Sequence, residues 1–360
     1  METKNLKIAI AISQKANVPL MIWGTVGVSK TQQIIQYCEF TKQKFSVIVG
    51  SAVDPTDVIG HFIADKKNKI TIQTKPRIFQ LFETENRGVI FLDEYNNTPR
   101  DVKAVFLKLI DEKRLGEYKL NDQIFVIAAC NPAAIATNAE NLDLPTKARF
   151  CHIKLEPRWE DLVDFIDGNT EKIDKKVEEI LQKDFDEKLY KKIFRECAIY
   201  CATNNIPIVS ENSDSEASEL EEFDGVPTFR TLDFAAKIYT VAIQNNLETS
   251  NITAELMRGC IGKVSVGLLK HLKKFRPPKF EEIIQNLEIL LDREIFAFCV
   301  PVILENINKT KEIEQILKFL KEKSANTELT VLAEKIKENV DKIENVYILQ
   351  QIYLILNTSI

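Results

Sequence analysis

The sequence predicts an α/β fold in which helices cover both faces of a parallel sheet, followed by an all-helical region. Two observations support this fold class. Over about the first 155 residues, short and almost uniformly apolar runs alternate with amphipathic segments, as in a parallel sheet that is buried on both faces. From about residue 158 the apolar positions recur with the period of helices instead.

Four apolar runs are predicted to form the strands of this sheet. They are residues 18–24 (VPLMIWG), 45–51 (FSVIVGS), 88–94 (GVIFLDE) and 123–131 (QIFVIAACN). Their uniform apolarity predicts that they are covered on both sides. The segment KTQQIIQYCEF at residues 30–40 predicts the helix that follows the first strand.

Two hairpins and one well-marked helix are predicted between these strands. An insert at residues 54–77 has apolar-alternating pieces around the polar turn DKKNK, and residues 114–123 indicate a second, shorter hairpin. The helix before the fourth strand is predicted to have Thr98 as its N-cap, with Pro99 in the first turn and Asp101 at capping-box spacing. Its apolar stripe consists of Val102, Val105, Phe106, Leu109 and Ile110.

The composition is that of a globular protein. Of the 360 residues 45% are hydrophobic, and the net charge is −5 at pH 7, which argues against disorder and against a general affinity for nucleic acid. The seven cysteines form no C-x-x-C pair, so we expect free thiols in a reducing compartment rather than a zinc cluster. The longest apolar run, residues 295–304, is about half as long as a membrane span. We therefore expect a soluble, cytoplasmic protein with no membrane span and no signal peptide.

The first strand ends in a near match to the phosphate-binding loop pattern G-x-x-x-x-G-K-[ST]. Such a loop directs backbone N–H groups and a helix N-terminus at one point, where an anion is favoured. Lys30 is expected to reach the β- and γ-phosphates of a nucleotide, and the Thr31 hydroxyl to bind Mg²⁺. Serine replaces the second glycine of the pattern, which narrows the approach to the phosphates without closing it. The predicted nucleotide-binding residues of the loop are Gly24, Thr25, Val26, Gly27, Val28, Ser29, Lys30 and Thr31.

Two carboxylates follow the third predicted strand. Since side chains alternate along a strand, Asp93 and Glu94 are expected to serve different purposes. Asp93 is predicted to bind Mg²⁺ directly or through water. Glu94 is predicted to polarise the water that attacks the γ-phosphate. The alternative is that the two acids merely end a strand at the solvent.

Asn131 ends the fourth predicted strand, next to these acids. Its amide is expected to orient the attacking water or to contact the γ-phosphate, although an Asn-Pro turn alone would also place an asparagine here.

The order of the motifs GTVGVSKT, VIFLDE, AACNP, LPTKARF and PTFRTLDFAAKI resembles the AAA+ ATPases, and among them the MoxR-like branch. The resemblance spans about residues 5–275 and implies a P-loop NTPase core with ATP and Mg²⁺ as its cofactors. Phosphate loops of this branch commonly carry alanine at the position of Ser29, so a small residue there fits the branch. The insert at residues 54–77 resembles a hairpin that this branch adds to its core.

The resemblance also implies two arginines of the site. Arg149 in KARF looks like the arginine finger that a subunit offers to its neighbour's γ-phosphate, and Arg230 in FRTL looks like the sensor arginine of the lid domain, which contacts bound nucleotide. The alternatives are a surface ion pair for Arg149 and a helix-start charge for Arg230.

The resemblance divides the chain into three parts. Residues 1–157 form the nucleotide-binding core, residues 158–275 an α-helical lid, and residues 276–360 a helical C-terminal extension whose role the sequence does not indicate. The acidic, serine-rich stretch 209–225 is expected to be a mobile loop within the lid.

The implied function is hydrolysis of Mg-ATP between the subunits of a homo-oligomeric ring, expected to be a hexamer, which remodels or matures a partner protein in the manner of a chaperone. The family implies that this partner contains a von Willebrand factor A domain. Two alternatives stay open. The chain could be a nucleotide-gated binding module with little turnover, which would not need Glu94 or Arg149. It could instead be a nucleic-acid motor, against which the acidic balance counts.

Overall fold

The computed structural model describes residues 1–25, 27, 30–132, 142–156, 158–160, 163, 171–209, 223–273, 280–291 and 293–338. The chain divides into two compact units, residues 1–270 and 271–360. This division lies a few residues before the predicted start of the C-terminal extension at 276. The predicted boundary between core and lid at 157 and 158 falls inside the first unit and stays a prediction. Most of the predicted acidic loop, residues 210–222, lies outside the described residues.

The first unit is built on a five-stranded parallel sheet, as the sequence predicts. Its strand order is β2-β5-β8-β1-β9, and β3-β4 and β6-β7 are separate antiparallel pairs. The strands are β1 Leu20–Trp23, β2 Lys44–Val49, β3 Phe62–Asp65, β4 Ile70–Gln73, β5 Gly88–Asp93, β6 Arg114–Leu115, β7 Tyr118–Lys119, β8 Ile124–Cys130 and β9 Cys151–Lys154. The structure confirms the four predicted sheet strands and both predicted hairpins. Strand β9 was not predicted, because the four-residue sequence CHIK contains two polar side chains and no strand-like run.

Helices cover the sheet and continue through the second unit. In the first unit they are α1 Leu6–Lys15, α2 Lys30–Phe40, α3 Pro55–Ile59, α4 Arg77–Phe82, α5 Arg100–Glu112, α6 Leu144–Lys147, α7 Glu171–Gln182, α8 Glu187–Thr203, α9 Phe229–Gln244, α10 Asn251–Ile261 and α11 Val264–Leu272. Helix α11 extends past the division between the units. The second unit contains α12 Phe280–Gln285, α13 Arg293–Glu305, α14 Thr310–Glu322 and α15 Asn326–Lys337.

The second unit has a hydrophobic core of its own. Its four helices contribute fully buried aliphatic side chains, among them Ile283, Ile303, Ile313, Leu320 and Leu332. Apolar residues recur every three or four positions along α14 and α15, which turns one face of each helix toward this core.

The start of α5 differs from the prediction. The helix begins at Arg100 with Pro99 at the N-cap position and without a side-chain cap. Thr98 instead ends a 3₁₀ turn over Tyr95–Asn97, and its backbone N–H donates to the Tyr95 carbonyl at 3.2 Å. Thr98 is therefore not the cap, and its hydroxyl donates instead to the Glu94 carbonyl at 3.4 Å. The predicted apolar stripe of α5 is buried except for Val105, which is half-buried.

The two faces of the sheet are not equally covered at every strand. All residues of β1 and β8 are buried, but β2 is an edge strand on which Val47 and Val49 are exposed among the described residues. The expectation that all four strands are buried on both faces is wrong for β2, since an edge strand has a neighbour on one side only.

The carboxyl and amino edges of the sheet are well defined by the strand register. Leu20 of β1 pairs with Cys151 of β9, and Trp23 pairs with Lys154. Segments that follow Trp23 or Asp93 therefore emerge at the carboxyl edge, while segments that precede Leu20 or Cys151 lie at the amino edge.

A buried histidine ties β9 to β1 beside the predicted phosphate loop. The Trp23 indole N–H donates to His152 Nδ1 at 3.0 Å, and His152 Nε2 lies 2.9 Å from the Lys147 carbonyl. The imidazole thus accepts at Nδ1 and donates from Nε2, which is the neutral form. Complete burial lowers the pKa of His152 to about 4.

We expect this histidine to make the protein sensitive to acid. The unfolded chain takes up a proton at a pKa of about 6.5, whereas the folded chain resists it until about 4, so the free energy of unfolding falls as pH drops through 6.5 and levels off below 4. The full loss is on the order of 3 kcal/mol. Urea unfolding between pH 7.5 and 4.5 measures it. His152→Gln should flatten this dependence, whereas the exposed control His61→Gln should keep it; an equal pH dependence in all three proteins would contradict the assignment.

No helix in the described part of the chain is both long and apolar enough to span a membrane.

Candidate nucleotide-binding site

The phosphate loop connects β1 to α2 at the carboxyl edge of the sheet. Gly24 is buried, and its N–H donates to the Cys130 carbonyl of the neighbouring strand at 3.2 Å. Gly27 has a φ of 87°, a left-handed conformation that only glycine adopts without strain. Thr25 and Gly27 are exposed. The predicted loop residues Val26, Val28 and Ser29 lie outside the described residues.

Lys30 turns back over the mouth of this loop. Its ammonium donates to the Gly24 carbonyl at 2.5 Å and to the Asn131 side-chain oxygen at 2.8 Å, with a longer contact of 3.4 Å to the Thr25 carbonyl. Burial lowers the pKa of Lys30, and the nearby Asp93 carboxylate partly offsets this effect. A buried ammonium that is bound only by neutral oxygens is suited to receive an anion, because a phosphate oxygen is a stronger acceptor.

Asp93 joins the phosphate loop to the end of β5. One carboxylate oxygen accepts from the Thr31 hydroxyl at 2.9 Å, and the other accepts from the Glu94 backbone N–H at 2.9 Å. The hydroxyl and the carboxylate are the hard oxygen ligands that Mg²⁺ prefers, so these residues fit the predicted metal position.

Glu94 leaves the strand through a strained backbone conformation. Strand β5 ends at Asp93, and Glu94 has φ 53° and ψ 39°, which is uncommon for a residue with a side chain. Its carboxylate accepts from the Ser51 hydroxyl, which follows β2. The two acids therefore face different partners as predicted, but the cause is the left-handed turn and not the alternation of a strand.

Asn131 is held by an asparagine that was not predicted as part of the site. The Asn96 side-chain amide donates to the Asn131 carbonyl at 2.7 Å, and its oxygen accepts from the Asn131 N–H at 3.4 Å. Asn96 is buried. Only an alignment of homologues or the fold could have revealed this contact, because 35 positions separate the two residues.

Arg149 and Arg230 lie together, away from the phosphate loop. The Arg149 guanidinium donates to one carboxylate oxygen of Asp111 at 2.7 Å and to the Pro145 carbonyl at 2.6 Å. Arg230 donates to the other oxygen of Asp111 at 3.0 Å. Arg149 precedes β9, so this cluster lies at the amino edge of the sheet, together with Pro19 before β1.

The structure thus brings the predicted site residues together in two groups. At the carboxyl edge Lys30 contacts Asn131 and the adjacent Thr31 contacts Asp93, which Glu94 follows. Among the described residues, neither arginine contacts that group. The predicted contact of Arg230 with bound nucleotide stays a prediction, and in this structure Arg230 is bound by Asp111 at the opposite edge.

Comparison with known proteins was consistent with this geometry. Residues 19–150 match the family model described as the AAA domain of the dynein-related subfamily. The chain is 33% identical over 124 residues to the Transcriptional regulatory protein FlgR of Helicobacter pylori, an alignment that covers 33% of this chain and 32% of that protein. This chain therefore spans about a third of the length of that curated relative.

A solved structure of a proposed ATPase from Cytophaga hutchinsonii gives a TM-score of 0.44 at 17% identity, covering 68% of this chain and 76% of that one. The strand order of the parallel sheet supports the fold assignment. The phosphate loop, Asp93, Glu94 and Asn131 all lie inside the segment that matches the family model. The likeness to the AAA domain is therefore confined to residues 19–150, the part of the chain that carries these site residues.

Proposed function

We propose that this chain binds Mg-ATP at the phosphate loop and hydrolyses it between two copies of itself. The observation that carries the proposal is the contact of Lys30, Thr31, Asp93 and Asn131 at one edge of the sheet. These side chains offer an ammonium, a hydroxyl, a carboxylate and an amide beside the phosphate loop.

The residues of this group have separate roles in binding Mg-ATP. Lys30 exchanges its bonds to the loop carbonyls for bonds to the β- and γ-phosphates, which are stronger because both partners are charged. Thr31 and Asp93 hold Mg²⁺, and the bound ion supplies positive charge that neutralises the phosphates. The helix α2 begins at Lys30 and directs its N-terminal dipole at the same position.

Hydrolysis needs a base and a group that positions water. Glu94 is the base, because it follows Asp93 directly and, among the described residues, its carboxylate accepts a hydrogen bond from the Ser51 hydroxyl alone. Asn131 lies on the other side of Lys30 and offers its amide toward the γ-phosphate. The Asn96 contacts fix the backbone of Asn131, so its amide is already oriented before nucleotide binds.

The second copy is required because the arginines lie on the wrong edge to complete their own site. Arg149 precedes β9 and Lys30 follows β1, so at least the length of β1 separates them, about 10 Å at 3.3 Å per residue. Arg149 is therefore assigned to the γ-phosphate of a neighbouring copy, and Arg230 to the same phosphate. Such head-to-tail contacts close into a ring, which we propose to be a hexamer.

We further propose that the chain belongs to the MoxR-like branch and remodels a partner protein. The β3-β4 insert supports this assignment, since it adds a hairpin between α3 and α4 on which Phe62, Ile63 and Ile70 are exposed. Apolar side chains on a projecting hairpin suit contact with another protein. A partner with a von Willebrand factor A domain is proposed from the resemblance alone.

One observation favours a second candidate function, a nucleotide-gated switch with little turnover. Glu94 is occupied by the Ser51 hydroxyl, so the base is not directed at the phosphate loop in this structure. If binding of ATP does not release Glu94, the chain would close on nucleotide without hydrolysing it.

Lys30→Ala tests the binding half of the proposal. We expect ATP affinity to fall about 30-fold or more, because losing one partner of a buried charge pair costs about 2–5 kcal/mol or above. Direct calorimetric titration with ATP and Mg²⁺ measures this change. The matched control is Lys108→Ala on the exposed face of α5, which should bind ATP normally. Equal affinities in the two variants would refute a nucleotide site at this loop.

A further inference from the structure

A charged cavity at the amino edge of the sheet contains more than the two predicted arginines. Its volume is about 320 Å³. Arg149, Arg230 and Lys113 line it as cations, and Asp111 and Asp122 line it as carboxylates. At neutral pH the five side chains leave an excess of one positive charge, if all are ionised.

Lys113 is the unusual member of this group. It ends α5 in a left-handed conformation, with φ 56°, and only 6% of the residue is exposed. Its backbone is fully used, because its N–H donates to Leu109 and its carbonyl accepts from Leu120. Within the part of the chain that the structure describes, its ammonium has neither a hydrogen bond nor an ion pair.

Both carboxylates near Lys113 are already engaged by other cations. Asp111 is bound by Arg149 and Arg230, and Asp122 is bound by Lys119 at 3.1 Å. Burial lowers the pKa of Lys113 to about 8, although Asp122 and Asp111 act in the opposite direction. The ammonium nitrogen of Lys113 is not among the fully buried unpaired atoms, and Lys113 lines the cavity. An anion bound in the cavity would give this ammonium the charged partner that it lacks among the described residues.

The two guanidinium groups narrow the chemical class of that anion. Arginine presents a planar fork of donors that matches phosphate oxygens, and here two such forks meet on one carboxylate. A phosphate group can replace the carboxylate on both arginines and still offer an oxygen to a third cation. Both oxygens of the Asp111 carboxylate are already bound by the arginines, whereas a phosphate would keep a third oxygen for Lys113.

We propose that this cavity receives the terminal phosphate of the nucleotide bound by a neighbouring copy, with Lys113 as a third cation beside Arg149 and Arg230. Asp111 is the counter-ion that holds both arginines at rest and that the phosphate displaces. The inference rests on the proposed hydrolysis between copies and adds Lys113 and Asp111 to its residues. No covalent bond is made at Lys113, whose role is to stabilise charge on the transferring phosphate.

The first experiment compares Lys113→Met with Lys119→Met in the full chain. The control removes the exposed lysine that pairs with Asp122 but does not line the cavity. We expect Lys113→Met to lower kcat about 100-fold while ATP affinity changes less than twofold, since removing one stabilising donor typically costs 10²–10³ in rate. Lys119→Met should have the kcat and the ATP affinity of the wild type.

Mixing tests whether Lys113 acts on a neighbour. Chains with Lys30→Ala bind nucleotide weakly but carry an intact cavity, and chains with Lys113→Met have the opposite defect. Each is expected to have strongly reduced turnover alone at an ATP concentration that saturates the wild type but not Lys30→Ala, and the mixture is expected to regain turnover. If Lys113→Met keeps full turnover while Arg149→Ala loses it, the inference on Lys113 is overturned and hydrolysis between copies stands. If both keep full turnover, hydrolysis between copies fails as well.

A binding measurement covers the case in which Lys113→Met does not fold. Inorganic phosphate is titrated into the Lys30→Ala chain, in which the phosphate loop is disabled, and into the same chain with Asp111→Asn added. Removing the competing carboxylate is expected to tighten phosphate binding about tenfold. Unchanged affinity, or no binding by either chain, would overturn the assignment of this cavity to phosphate.

Discussion

Arg149→Ala is expected to leave ATP binding nearly intact and to lower turnover by about 10³-fold or more. The size follows from the charge that an arginine finger neutralises on the transferring phosphate, which is worth 10³–10⁵ in rate in related nucleotide hydrolases. Binding is spared because Arg149 lies at the amino edge, at least the length of β1 from the loop that holds the nucleotide of its own chain. Steady-state hydrolysis and calorimetric ATP titration on the same preparation separate the two effects.

Arg114→Ala is the matched control for this arginine. Arg114 is exposed on β6, and its nearest acidic partner, Glu112, is 3.9 Å away. We expect this control to hydrolyse ATP at the wild-type rate. Normal turnover by an oligomeric Arg149→Ala protein would show that Arg149 is only the surface ion pair with Asp111 that the resting structure contains.

Glu94→Gln is expected to lower turnover by about 10²–10⁴-fold, the usual contribution of a positioned general base. Glutamine has the shape of glutamate and can still accept from Ser51, but it cannot take a proton from water. ATP affinity should be unchanged, because Lys30, Thr31 and Asp93 are untouched. Single-turnover hydrolysis with radiolabelled ATP measures the chemical step separately from product release.

The same variant distinguishes the ATPase from the nucleotide-gated switch. Glu83→Gln serves as control, since Glu83 is exposed and pairs with Lys75 at the surface. Equal and low rates for wild type, Glu94→Gln and Glu83→Gln would favour the switch, in which Ser51 keeps Glu94 from acting. Hydrolysis is supported if Glu94→Gln is the only one of the three proteins whose rate is far below that of the wild type.

The local parts of the site could be predicted from the sequence because each is a short continuous stretch of residues. The loop before Lys30, the carboxylates after β5 and Asn131 after β8 all follow apolar strands, and parallel strands bring their carboxyl ends to one edge. The parallel sheet itself was also predictable, because its central strands are consecutive runs of almost wholly apolar residues.

The contacts that complete the site were not predictable in this way. Asp111 meets Arg149 and Arg230 across 38 and 119 positions, and nothing in the sequence around α5 indicates which carboxylate either arginine meets. Strand β9 was missed because its four residues include His152 and Lys154, whose burial depends on neighbouring elements. The left-handed conformation of Glu94 depends on the 3₁₀ turn that follows it. Because of that turn, α5 begins at Arg100 and is not capped by Thr98.

The short turn after β5 has a mechanical consequence. Glu94 opens the 3₁₀ turn over Tyr95–Asn97, and Asn96 within that turn grips the backbone of Asn131 through two hydrogen bonds. The proposed base Glu94 and the proposed phosphate contact Asn131 are thus linked through one short turn, although they follow different strands. A shift of this turn would therefore move Glu94 and Asn131 together.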